Sequence, residues 1–184
     1  EENLTDVTYL ADLKSLEALY LQNNSLTSLE NIPPLPNLKR LSVAGNKQLT
    51  STKGIEKFTA LQEFQANKAG LRDLSGIERL SDLKIVGLMM NKLSSVSEFR
   101  YLDHLEDVGI NYNPVADISA FENKISLIRF EAHATKVTNI TPLLSSTNLQ
   151  VVGVSSPNFP CTQLDHLRKI LPTTAKVYGP SRCN

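Results

Sequence analysis

The 184-residue sequence has no tryptophan, three histidines, two cysteines and no excess of charge of either sign. Each shortage removes a class of function. With 19 basic residues against 19 acidic ones the net charge is zero, whereas a nucleic-acid ligand leaves a basic stripe on its protein. No apolar run approaches the ~20 residues that a helix needs to cross a bilayer, so no membrane span is expected. The lack of tryptophan leaves few rings for stacking on a sugar, which makes carbohydrate, with Tyr20, Gln22, Gln65 and Asn67 as contacts, a weaker alternative to a protein partner. His166 is the only other usual zinc ligand near Cys161 and Cys183, with no Cys-x-x-Cys or His-x-x-x-His spacing. No metal or other cofactor is read from these residues.

What the chain has in quantity is one period. Leu16-x-x-Leu19-x-Leu21-x-x-Asn24-x-Leu26 returns every 22 residues, with one extra residue near Gln48, so that Asn24, Asn46, Ala69, Asn91, Asn113, Thr135 and Pro157 align. Each unit opens on an apolar pair two apart, from Leu19/Leu21 through Phe64/Ala66 and Phe130/Ala132 to Val152/Val154. Alternation at period two sends these pairs to one side of a short strand and their neighbours to the other. Such strands are too short to stand alone, but stacked in parallel they share a continuous apolar interior. The aligned asparagine suits the corner where the chain leaves the sheet, because its amide both donates to and accepts from turn backbone. Ala69 lacks that capacity and Thr135 has only some of it, and their corners are expected to need water or a shifted backbone.

The second half of each unit, as in Leu71-x-x-Leu74-x-x-Ile77 or Val115-x-x-Ile118-x-x-Phe121, spaces apolar residues by three, which fits a tight turn and a short 3₁₀ helix. Asp73, Asp117 and Asn139 add turn and helix-start signals at equivalent places. The resulting fold class is an α/β solenoid, a horseshoe with a parallel concave β-sheet and short 3₁₀ helices or turns on its convex side. Leu38-Lys-Arg-Leu41-Ser-Val43-Ala-Gly-Asn46 and Leu105-Glu-Asp-Val108-Gly-Ile110-Asn-Tyr-Asn113-Pro-Val-Ala-Asp117-Ile-Ser resemble the 22-residue leucine-rich repeats of bacterial internalin-type surface proteins and of a eukaryotic phosphatase-regulating relative. The resemblance covers roughly residues 4 to 157. It implies a binding module, not a particular partner.

Internalins usually continue into an immunoglobulin-like domain, whereas here residues 1–156 of repeats are followed by a cap at 157–184. Cys161 to Leu171 has apolar positions at three and four, which reads as one amphipathic helix, with Thr162 and Asp165 as a variant capping box and Pro172 as its stop. Lys176-Val177-Tyr178 can add an edge strand before Gly179-Pro180 turns Cys183 back toward Cys161. A disulfide sealing the cap is the main reading, against two free thiols, and it implies an oxidising compartment: a secreted, periplasmic or cell-surface location. Free thiols would favour an intracellular scaffold like the phosphatase-binding relative. The N-terminal Leu4-Thr-Asp6-Val7-x-x-Leu10-x-x-Leu13 matches the back half of a repeat, so the sequence is read as a fragment or processed form. Asn3, Asn23 and Asn139 head glycosylation-like triplets, which are read as incidental.

Function is then assigned to the outward strand positions. Ile85, Met89, Met90 and Tyr112 are apolar or amphipathic where a solvated strand carries polar groups, and Gly87 and Gly109 lower the floor between them. Thioethers beside an aromatic ring on a rigid sheet suit an adaptable protein interface. Tyr20, Arg40 and Gln65 flank this centre on one side, and Asn111, Arg129, Glu131 and His133 on the other. The bland alternative has Met90 folded into the neighbouring turn, or the whole chain serving as a structural spacer in a longer surface protein. Ser42, Ser155 and Ser156 are the candidate nucleophiles and His133 is the only histidine on the same face, one repeat from Ser155, but no buried acid is placed to orient the ring and an open sheet offers no closed pocket, so the chain is not read as an enzyme.

Overall fold

The computed structural model describes residues 7–183; Leu4 and Asp6 of the N-terminal half-repeat and the Asn3 triplet lie outside the described residues. Eight short strands among those residues form one sheet, parallel throughout and in sequence order. They are β1 (Ala18–Tyr20), β2 (Arg40–Ser42), β3 (Glu63–Gln65), β4 (Ile85–Gly87), β5 (Asp107–Gly109), β6 (Arg129–His133), β7 (Val151–Ser155) and β8 (Lys176–Tyr178). The 22-residue period sets the register, Leu41 pairing with Phe64, Phe64 with Val86 and Val86 with Val108. Every predicted inward pair is buried, from Leu19 and Leu21 to Val152 and Val154. Phe121 meets Phe99 and Phe130 edge to face, at centroid distances of 5.7 and 4.8 Å, and Ala132 makes room beside Phe130.

The corner asparagines form a polar ladder inside the coil. Asn91 Nδ2 donates to Ala66 O and Leu88 O at 2.9 and 2.8 Å, while Oδ1 accepts the N–H groups of Ala69, Gly70 and Leu71. Asn46 and Asn113 repeat the pattern on Leu26 and Leu93. The corner at Ala69 is thus served from the next repeat. Its own missing amide is replaced by a local shift, since Leu49 N–H turns back onto Asn46 O beside the extra residue. At Thr135 the hydroxyl donates to Ala132 O at 2.8 Å and accepts the Val137 N–H at 3.3 Å.

The convex side carries 3₁₀ segments at Ile55–Lys57, Ile77–Arg79, Ser97–Tyr101, Ser119–Phe121 and Thr141–Ser145. Ser51, Ser95, Asp117 and Asn139 each accept the backbone N–H two residues on, closing the turn before the segments at Ile55, Ser97, Ser119 and Thr141, and Ser28 closes an equivalent turn onto the Glu30 N–H. None of them caps the 3₁₀ helix itself. Val7 and Leu10 join the core, but Leu13 is 47% exposed.

Among the described residues, one charged side chain takes a place in the apolar core. The period that places Leu35, Phe58, Leu80 and Leu102 also places Lys124, which is 2% exposed. Its ammonium donates to Arg100 O at 2.8 Å and to Asp103 Oδ1 at 3.0 Å, closing the carbonyl end of the preceding turn. Lys57 does the same for Leu29 O and Glu30 O, and its partial burial lowers its pKa. Lys124→Met is expected to lose about 1–2 kcal/mol in urea melts because the Arg100 carbonyl is left unpaired. Lys124→Ala adds a cavity and should lose about 3 kcal/mol. Equal stability of all three proteins would contradict this role.

The cap continues the sheet through β8 and packs a helix, α1 (Cys161–Ile170), on the last repeat. Cys161 and Cys183 are joined in a disulfide. The expected capping box is not formed: Pro160 occupies the N-cap, no side chain caps the helix, and Thr162 lies one residue inside it. Gln163 instead ties the helix down, accepting the Ile140 N–H at 2.7 Å and donating to Thr138 O at 3.0 Å.

Candidate functional site

The register turns the outward residues into columns that cross the repeats. One column runs Ala18, Arg40, Glu63, Ile85, Asp107, Arg129, Val151, and a second runs Tyr20, Ser42, Gln65, Gly87, Gly109, Glu131, Gly153. Beyond the strands a further alignment emerges, which the apolar pattern did not reveal. Asn23, Gly45, Lys68, Met90, Tyr112 and Ala134 all have φ between 53 and 76°. A left-handed residue at this corner turns the chain so that the following asparagine points inward and its own side chain points out. Only Gly45 has no Cβ to resist it. The aligned Asn23 and Gly45 were the available sequence signal, since both residue types favour this conformation.

Met90 and Tyr112 are therefore held side by side on successive corners, 48% and 57% exposed. The alternative in which Met90 folds into the neighbouring turn is not what the structure has. Ile85 is 36% exposed, Met89 is half-buried, and Tyr20 and Arg40 stand exposed toward the N-terminal end. Gln65 is half-buried because it lies over Gly87, so that glycine does not lower the floor as expected.

Asn111 is buried where alternation along the strand predicts exposure. It is 8% exposed, with Oδ1 accepting the His133 N–H at 2.6 Å and Nδ2 donating to Glu131 Oε2 at 3.2 Å, so it is not an exposed contact. Asn67 acts in the same way two repeats earlier, accepting the Met89 N–H at 2.7 Å. Close to Asn111, Arg129 is exposed and reaches both Asp107 Oδ2, at 3.2 Å, and Glu131 Oε1, at 3.5 Å. Burial raises the Asp107 pKa, Arg129 opposes this and Glu131 reinforces it. Of the candidate nucleophiles, Ser42 and Ser156 are buried, and Ser155 Oγ accepts the Ala134 N–H at 3.0 Å. The His133 ring lies over Gly153.

Residues 14–57 match a family described as leucine rich repeats in two copies. Internalin I of Listeria monocytogenes is 42% identical over 57 residues, 31% of this chain and 3% of that protein. The crystal structure of an internalin, inlF, from the same species is 26% identical, with a TM-score of 0.75 over 83% of this chain and 45% of that one. The chain is an internalin-like leucine-rich-repeat protein. A plant peptide hormone receptor, RGFR1, solved in complex with RGF2, is 19% identical with a TM-score of 0.62 and shares the fold over 77% of the internalin-like chain and 25% of its own. Among the described residues, no helix of the internalin-like chain is long and apolar enough to cross a membrane.

Proposed function

We propose that this chain is a non-catalytic recognition module that binds a protein partner through its concave face, centred on Ile85, Met89, Met90 and Tyr112. The observation that carries the reading is the pair Met90 and Tyr112. Both are large and exposed, and both are held at left-handed corners that ordinary side chains adopt at a cost. A solvated turn has no use for such residues there, whereas an interface centre is enriched in aromatic and thioether side chains. The Cys161–Cys183 disulfide supports a secreted, periplasmic or cell-surface setting and stands against the intracellular scaffold.

The test is affinity capture from cell-surface and secreted-protein extracts with the wild-type chain and with Met90→Asp, Tyr112→Asn. Aspartate and asparagine tolerate the left-handed corner, so the variant should keep its fold, checked by its melting curve. A protein held by the wild type and lost by the variant is the expected result. Equal retention by both would point to a spacer or to recognition elsewhere on the coil.

A further inference from the structure

The second outward column contains Gly87, Gly109 and Gly153, and two of these glycines are roofed by a side chain from the preceding repeat. The Gln65 carboxamide sits where a Cβ at Gly87 would be, and the His133 ring sits where one at Gly153 would be. Gly109 has no such cover. Gly87 before it has no side chain to send forward, and a Cβ added at Gly109 would meet nothing nearer than the Val86 carbonyl oxygen at 4.0 Å. Two successive glycines behind a single glutamine thus leave an open notch, one residue wide, at the middle of the sheet.

The surroundings of the notch have a definite chemistry. On the preceding strand and its continuation are Ile85 and Met89, both apolar. On the other sides are Asp107, two residues back on the same strand, and Glu131, paired across from Gly109. Both carboxylates share the single guanidinium of Arg129. Lys84, the residue before Ile85, is already paired with Glu106 at 3.0 Å. One negative charge is left over, beside apolar walls that keep Asp107 half-buried. An aliphatic occupant would strip water from that charge without replacing it, and an acidic one would add a third carboxylate.

We propose that the Gly109 notch receives one lysine or arginine side chain of a polypeptide partner, with its aliphatic stem against Ile85 and Met89 and its cationic head at the Asp107 and Glu131 carboxylates. The proposal rests on the protein-binding reading of this face and names what the partner presents to it.

The experiment is a titration of the whole ¹⁵N-labelled chain with capped single amino acids: Nα-acetyl-lysine methylamide, its arginine analogue and its uncharged norleucine analogue. The expected result is a saturable shift centred on the amides of Gly109, Asn111 and Glu131 with a cationic probe, which weakens as salt is raised. Norleucine, Glu131→Gln and Gly109→Leu should each weaken binding about tenfold or more. Gly109→Leu is a fair test because the backbone there is outside the left-handed region and the space is open. Equal shifts with norleucine, or shifts scattered over surface carboxylates with none centred on Gly109, would overturn the proposal. In the capture experiment, a partner lost by Met90→Asp, Tyr112→Asn but fully retained by Gly109→Leu would overturn the notch and leave the protein-binding reading standing. A partner retained by both variants would overturn the reading itself.

Discussion

Replacing Asn91 by alanine is expected to remove about 3–5 kcal/mol of stability, more than any single change on the outer surface of the coil. One amide here satisfies three N–H groups, those of Ala69 and Leu71 buried and that of Gly70 half-buried, and two carbonyls, of Ala66 and Leu88. Some of these groups can find substitutes after relaxation, as the corner at Ala69 shows, so the loss is less than five full desolvation penalties. Asn24 provides the internal control. It is half-exposed, and its bonds to Leu21 O and Gln22 O, at 3.2 and 3.1 Å, lie where water can take their place, so Asn24→Ala should lose less than Asn91→Ala. Urea melts followed by amide exchange at Ala69, Gly70 and Leu71 would check both. Equal small losses for the two alanine variants would mean that the ladder is not a main source of stability.

Removal of the disulfide, by Cys161→Ser with Cys183→Ser, should lose about 3 kcal/mol on the chain-entropy estimate for a crosslink of this span. The effect should be local. A solenoid unit contacts mainly its neighbours, so protection ought to fall in α1, β8 and the β7 edge while β2 to β5 keep theirs. Two arginines reinforce the seal without the crosslink, Arg182 donating to Phe159 O at 2.9 Å and Arg168 to Cys183 O at 3.2 Å, so the cap should loosen without detaching. If reduction of the wild-type chain left both the melting profile and terminal exchange unchanged, the sealed-cap account would be wrong.

The fold was legible because one period controls both halves of every repeat. Leu41, Phe64, Val86 and Val108 fall in register for the same reason that Asn46, Asn91 and Asn113 fall in line: each unit repeats the same path, so equal spacing in sequence becomes adjacency in space. What escaped was whatever depends on conformation, not on apolar spacing. The left-handed corners at Lys68, Met90 and Tyr112 carry residues that give no hint of positive φ. Asn111 was assigned to the surface by alternation alone, yet an amide can turn sideways and bond along the sheet, which buried it. Lys124 hid at an apolar position because a long aliphatic stem fills the space of a leucine while its ammonium caps a carbonyl. Thr162 was displaced from the N-cap because Pro160, fixed in φ and extended, starts the helix two residues earlier.

The central claim is that the concave face, and not the flanks of the coil, recognises a protein. Its most direct test is the affinity of a captured partner for three proteins: wild type, Met90→Asp with Tyr112→Asn, and Ile125→Asp. Ile125 is 65% exposed on the loop before β6, outside the sheet face, and so reports on a hydrophobic surface elsewhere. The account predicts at least about a tenfold weaker affinity for the corner variant and no change for Ile125→Asp. A corner variant that binds as tightly as wild type, while Ile125→Asp does not, would contradict it.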